Sequence, residues 1–169
     1  MFVGWELTIL NRSRNDVGKA WIAAALWIGL IAVESSNLLS AANTSRFLYP
    51  LLTYLFGHID PVRFLYWHHM ARKIGHVVGY GILSFLLFRA WRATLPSLSP
   101  HGWSWKWSWI AILMTALVAS LDEWHQTFLA SRTGAFSDVA LDTVAGIGAQ
   151  ILIYLLLRGL RLRIARVTA

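Results

Sequence analysis

Cysteine is missing altogether, so the chain can hold no disulfide, no thiolate nucleophile and no cysteine-ligated metal, and no redox compartment can be read from it. Charge is scarce as well: 14% of the 169 residues are Asp, Glu, Lys or Arg against 57% hydrophobic, with a mean hydropathy of +0.53. That balance excludes an ordinary soluble domain, in which about a quarter of the residues are charged. Internal repeats and low-complexity segments are also lacking. Acids are outnumbered by bases, eight to fifteen. In a soluble protein a net charge of +7 would point to nucleic acid, but here the bases lie between or beside apolar runs, the usual pattern of membrane flanks, and no nucleic-acid partner is expected.

What is present is four apolar runs of near-membrane length. They predict an all-α, polytopic integral membrane protein: a four-helix transmembrane bundle in a single domain over 1–169, with spans at about 20–39, 74–91, 107–129 and 139–157. A cleaved signal peptide is disfavoured for the first run by its long leader and distant small-residue site. Residues 1–18 read as an interfacial lead-in. The segment 43–71 is too apolar and aromatic to lie free in water, and Pro50, Gly57 and Pro61 interrupt it. It reads as one or two short interfacial helices over the first outer loop. Trp103, Trp105, Trp107 and Trp109 beside Lys106 read as an aromatic belt rather than a base-stacking platform. Ser137 is the expected N-cap of the last helix.

Charge sets the expected orientation. With both ends on one side, that side carries Arg12, Arg14, Lys19, Arg89, Arg92, Lys106, Arg158, Arg161, Arg163 and Arg166, and the other carries Arg46, Arg63, Arg72, Lys73 and Arg132. The excess places both termini in the cytoplasm. Counting from each inner basic flank, Glu34, His76, Asp122 and Asp142 all stand 13 to 16 residues along their helices. At 1.5 Å per residue that is roughly 20 to 24 Å into a core of about 30 Å, so four polar marks reach one level. A shared polar chamber in the outer leaflet follows, gathering Glu34, His76, Tyr80, Asp122, Glu123, His125, Gln126, Arg132, Asp138 and Asp142. The plainer reading is that these groups pair only to hold the bundle together.

The densest stretch is Asp122-Glu123-Trp124-His125-Gln126, followed by Arg132-Thr133-Gly134 and Ser137-Asp138. Asp122, His125 and Gln126 fall at i, i+3 and i+4, one helical face, with Glu123 turned away. On the second span Lys73, His76, Tyr80 and Ser84 share a face, and Gly75 and Gly79 form a small-xxx-small pair. Carboxylates with His76 and His125 could hold a divalent metal, but the spacing matches no zinc signature, so no metal is assigned and no cofactor is named.

These motifs, with Asp142, Gly146 and the earlier Arg72-Lys73-Ile74-Gly75-His76 followed by Tyr80 and Leu83, resemble the VanZ-like membrane proteins over about 34–154. The resemblance implies a small multi-helix protein of the bacterial cytoplasmic (inner) membrane. In the member that names the family it implies an association with low-level resistance to the lipoglycopeptide teicoplanin, with no settled activity for most members. The preferred functional reading is recognition of a lipid headgroup, a lipid-linked ligand or a lipoglycopeptide. Arg72, Lys73 and Arg132 would supply the positive end, and Glu34, Tyr80, Asp122, Glu123, Gln126 and Asp142 the rest of the site.

A second reading stays open. Ser131-Arg132, five residues, Asp138, three residues, Asp142 is similar to the spacing of lipid-phosphate phosphatases, except that Asp138 stands where their nucleophilic histidine belongs. Hydrolysis would then use Asp138 as nucleophile with His125 or His76 as general acid. Membrane lipids are partners on either reading, and the oligomeric state is open.

Overall fold

The computed structural model describes residues 14–95, 103–130, 132 and 134–167. Five helices follow in order: α1 Arg14–Glu34, α2 Ala41–Phe56, α3 Pro61–Thr94, α4 Trp105–Gln126 and α5 Phe136–Val167, with a short 3-10 turn, Asn37–Leu39, between α1 and α2. There is no strand among the described residues. The expected lead-in lies outside them through residue 13, as do Arg12, Pro96, Pro100, Ser131, Thr133 and the side chains of Arg14, Arg161, Arg163 and Arg166.

Among the described residues three helices are long and apolar enough to cross a membrane: α1 from Asn15 to its end, α3, and α5 as far as Leu160. The 22-residue α4 is long enough, but Asp122, Glu123, His125 and its tryptophans lower its hydropathy. It nonetheless packs among the others.

The first helix stops at Glu34, five residues earlier than expected. There Ser36 folds its hydroxyl onto the Val33 carbonyl at 2.6 Å, a local bond that competes with helix continuation. After the 3-10 turn, Ser40 caps α2 by accepting from the Asn43 N–H at 3.3 Å. Pro50 does not break α2 but lies inside it, whereas Gly57, at φ +83°, ends it. Asp60 accepts from the Arg63 N–H at 3.0 Å and Pro61 occupies the first turn, a strong start signal for α3.

Nothing after Pro61 stops that helix, because 62–73 contains neither proline nor glycine. Residues 61–73 therefore belong to α3, not to a separate interfacial piece. The whole helix is 34 residues, about 51 Å at 1.5 Å per residue. α2 folds back along its first turns through Tyr49 against Phe64, with ring centroids 5.1 Å apart, and Thr44 against His68 at 3.1 Å. The last helix begins at Phe136, so Ser137 is inside the first turn and not its cap.

α3 is the hub and touches α1, α4 and α5, while α4 and α5 also pack on each other. The apolar core runs through Ala24, Ile31, Tyr80, Leu83, Leu87, Phe88, Trp107, Ala111, Ala119 and Ile153. Trp107 is thus in the core, against Phe88, and not on a belt. The tightest crossing is at Gly146, where an added Cβ would stand 2.9 Å from Thr115 Cγ2 and 3.6 Å from Ser84 Cβ. The Ser84 hydroxyl donates to the Gly146 carbonyl there at 3.0 Å. Gly79, expected to admit a close helix, has open space around it, although its carbonyl accepts from Trp27 Nε1 at 2.8 Å.

Candidate functional site

At the end of the bundle where α4 meets α5, the polar residues of four helices converge. Asp122 is buried on α4, and its Oδ2 accepts from Ser35 Oγ at 2.7 Å, Gln126 Nε2 at 3.1 Å and Tyr80 Oη at 3.2 Å. One carboxylate oxygen therefore ties together α3, α4 and the end of α1. Three donors on one acceptor offset much of the cost of burying that acid.

Glu123 is buried too, and its Oε2 accepts from the Ala135 N–H at 2.8 Å, just ahead of α5. Gly134 makes this approach possible: a Cβ there would fall 2.4 Å from the Glu123 carbonyl oxygen. Glycine is required here for closeness rather than for backbone angle.

His76 Nδ1 lies 3.3 Å from Asp142 Oδ2, joining α3 to α5, and its ring stacks over Tyr80. Asp142 is fully buried, and its other oxygen, Oδ1, has no hydrogen-bond partner among the described residues. Lys73 Nζ stands 3.7 Å from Asp138 Oδ1 in a half-exposed pair, worth about 0–1 kcal/mol.

Arg132 reaches from the α4–α5 connection to the end of α1. Its Nη2 donates to the carbonyls of Glu34, Ser36 and Leu39, and Arg72 Nη1 donates to Leu39 at 2.7 Å. A helix C-terminus leaves carbonyls without intrahelical donors and carries partial negative charge, so two guanidiniums here satisfy both needs. Burial, reinforced by the neighbouring Arg72, draws the Arg132 guanidinium below its ordinary pKa; Asp122, Glu34 and Glu123 oppose the shift. Its Nε is buried without a partner among the described residues.

Between these groups lies a half-open pocket of about 160 Å³, lined by Ala41, His69, Arg72, Lys73, His76, Glu123, Gln126, Arg132, Asp138, Leu141 and Asp142. Eight residues singled out in the sequence thus line one cavity. Asp122 and Tyr80 stand behind the wall, and Glu34 lies beside Gly75, with Oε1 3.6 Å from where a Cβ would be.

His125 is not brought in. It is exposed, and Glu123 is buried in its place, the reverse of the expected pairing of faces. The helix turns Asp122, Glu123 and Gln126 inward, so His125, between Glu123 and Gln126, points out. Ser35 and His69 were not singled out as ligands. His69 shares a helical face with Lys73 and His76 at i, i+4 and i+7, a signal obscured when 43–71 is assigned to a separate segment. Among the described residues no group of three or more His, Asp and Glu side chains is placed to hold a metal ion.

A model of the VanZ/LLP1 family matches residues 15–158. Neither a curated protein nor a solved structure matches the chain.

Proposed function

The chain belongs to the VanZ-like family, and from that premise and the geometry of the pocket we propose a cell-envelope membrane protein that recognises a zwitterionic lipid headgroup. The observation that carries this is that two residues lining one cavity each hold a buried atom unpartnered among the described residues, the acceptor Asp142 Oδ1 and the donor Arg132 Nε. Leaving either alone costs about 1–3 kcal/mol, more for charged groups. A ligand that carries both an ammonium and a phosphate meets the two together. The ammonium sits at Asp142 with Asp138; the phosphate sits at Arg132 Nε–H with Lys73. A volume of about 160 Å³ is that of roughly five waters, the scale of a headgroup rather than a whole lipid.

On this reading α4 is the fourth span, both termini are cytoplasmic and the pocket opens in the outer leaflet of the bacterial inner membrane. The arginine and lysine asymmetry supports the orientation. The exposed Phe47, Tyr54 and Phe56 support an interfacial α2. Teicoplanin resistance, implied by the family name, would act through this same outward site.

Native mass spectrometry of protein in mild detergent tests the reading with phosphatidylethanolamine and phosphatidylglycerol as probes. Wild type is expected to retain the ethanolamine lipid preferentially, and Asp142→Asn or Asp138→Asn to lose roughly tenfold in retention, the size of one charged hydrogen bond. Expressed in a susceptible host, wild type should raise the inhibitory concentration of teicoplanin and Asp142→Asn should not. Equal retention of both lipids by all three proteins would sink the proposal.

One observation favours hydrolysis as a second reading: the His76–Asp142 pair lines the pocket together with Asp138. A retained lipid that loses headgroup mass on incubation, and does so only while His76 is present, would replace recognition by turnover.

A further inference from the structure

The opposite end of the α4–α5 interface carries a second cavity, of about 430 Å³, lined by Trp103, Trp105, Ser108, Trp109, Ile112, Ile147, Gln150, Ile151 and Tyr154. Its walls are almost wholly hydrocarbon and aromatic. Yet three buried polar atoms of its lining residues have no partner among the described residues: Trp103 Nε1, Ser108 Oγ and Gln150 Oε1. Ser108 is 1% exposed and Gln150 4%.

Each of the three is held in that state by its surroundings. Gln150 Nε2 donates to the Ser84 carbonyl at 3.0 Å and to Ser84 Oγ at 2.8 Å. Because a carbonyl can only accept, the amide is fixed in this orientation, and Oε1 requires a donor from elsewhere. Thr94, Thr115, Ser120 and Thr143 return their hydroxyls to the carbonyl four residues back, at 2.8 to 2.9 Å. The Ser108 hydroxyl does not, and its residue is one of those that line the cavity. Trp103 is held by Tyr154 and Trp105, with ring centroids 4.9 and 5.0 Å away.

A helix surface in lipid has no water to satisfy such groups. The occupant must therefore offer a chain to the walls, an acceptor to Trp103 and Ser108, and a donor to Gln150. Ile147 to Tyr154 spans seven residues, about 10 Å, enough for part of a single extended chain.

We propose that this groove holds one acyl chain of a glycerolipid that keeps an unesterified glycerol hydroxyl. The ester carbonyl accepts from Trp103 Nε1–H and Ser108 Oγ–H, and the free hydroxyl donates to Gln150 Oε1. A fully esterified triacylglycerol brings the chain and the acceptor but no donor, so it is discriminated against at Gln150. The proposal rests on α4 and α5 lying in lipid and is independent of the polar pocket, since Asp142 and Gln150 are eight residues, about 12 Å, apart along α5.

The test is native mass spectrometry of the full chain in mild detergent, with dioleoylglycerol, monooleoylglycerol and trioleoylglycerol as probes, none of which carries a charged headgroup for the polar pocket. Wild type should retain the two hydroxyl-bearing lipids about fivefold over trioleoylglycerol, one neutral hydrogen bond's worth. Ser108→Ala should weaken retention of all three by a similar factor. Ile147→Trp should fill the groove and abolish retention with the melting temperature kept. Should that variant fail to fold, Ile151→Trp, at an exposed position, gives the same reading. Asp142→Asn should leave all of this unchanged, which separates this site from the headgroup pocket. Equal retention of trioleoylglycerol and dioleoylglycerol would overturn the proposal. So would retention that survives groove filling, or a Ser108→Ala protein that is merely more stable.

Discussion

At the scale of single residues, Arg132 illustrates how a fold can draw on a cation's donors to hold its own backbone as well as to meet a ligand. In the sequence it is a cation in an acidic stretch and invites an anion. In the fold its Nη2 is spent on the carbonyls of Glu34, Ser36 and Leu39, while its buried Nε has no partner among the described residues. Arg132→Ala should therefore destabilise the protein by roughly 2–3 kcal/mol, the range for hydrogen bonds to a charged group whose partners are left buried. Amide exchange should accelerate over 35–39, where α1 hands over to α2. Unchanged stability and exchange would show that these carbonyls find water instead. For the same reason Arg132 is a poor probe of ligand binding, and Asp142 a better one: an amide of the same shape keeps a partner for His76 while removing the charge.

At the scale of elements, the sequence announces helices better than their ends. Hydrophobic runs located α1, α3, α4 and α5, because apolar length is a property of composition. The joins depend on chemistry that a run does not display. Ser36 bonding to Val33 stops α1 early, and a missing breaker after Pro61 lets α3 absorb a segment that looked separate. That misjoined boundary hid His69, whose face becomes visible only once 61–94 is one helix. Packing was legible only in part. Gly75 and Gly79 looked like the close-approach pair, whereas the tight contact is Gly146 between Thr115 and Ser84. Gly146→Ala should lower the melting temperature in detergent, at a cost of about 1–3 kcal/mol for overpacking. Gly79→Ala, with nothing within 4 Å, should leave it unchanged or raise it. A reversed order would mean that α3 and α5 can slide apart at no cost.

At the scale of the whole molecule, the convergence of four polar marks could be foreseen because it follows from counting. Each helix carries its polar group at a similar distance from its basic end, so any antiparallel bundle of these lengths brings the groups to one level. The rotation of each helix about its axis is not contained in that count, which is why the level was legible and the outward face of His125 was not. The count also presumes that α4 crosses, and this can be decided without altering the core, since the chain has no cysteine of its own. Single cysteines at His58, Lys106, His125 and Arg158 all occupy exposed positions. In intact cells a membrane-impermeant maleimide should label His58→Cys and His125→Cys, while Lys106→Cys and Arg158→Cys should react only after the membrane is opened. If positions 106 and 125 label from the same side, α4 lies within the bundle without spanning. The pocket and the groove would then face one compartment. If all four labels exchange sides, the orientation is inverted and the polar pocket reads the inner leaflet, where phosphate-bearing ligands are soluble as well as lipid-borne.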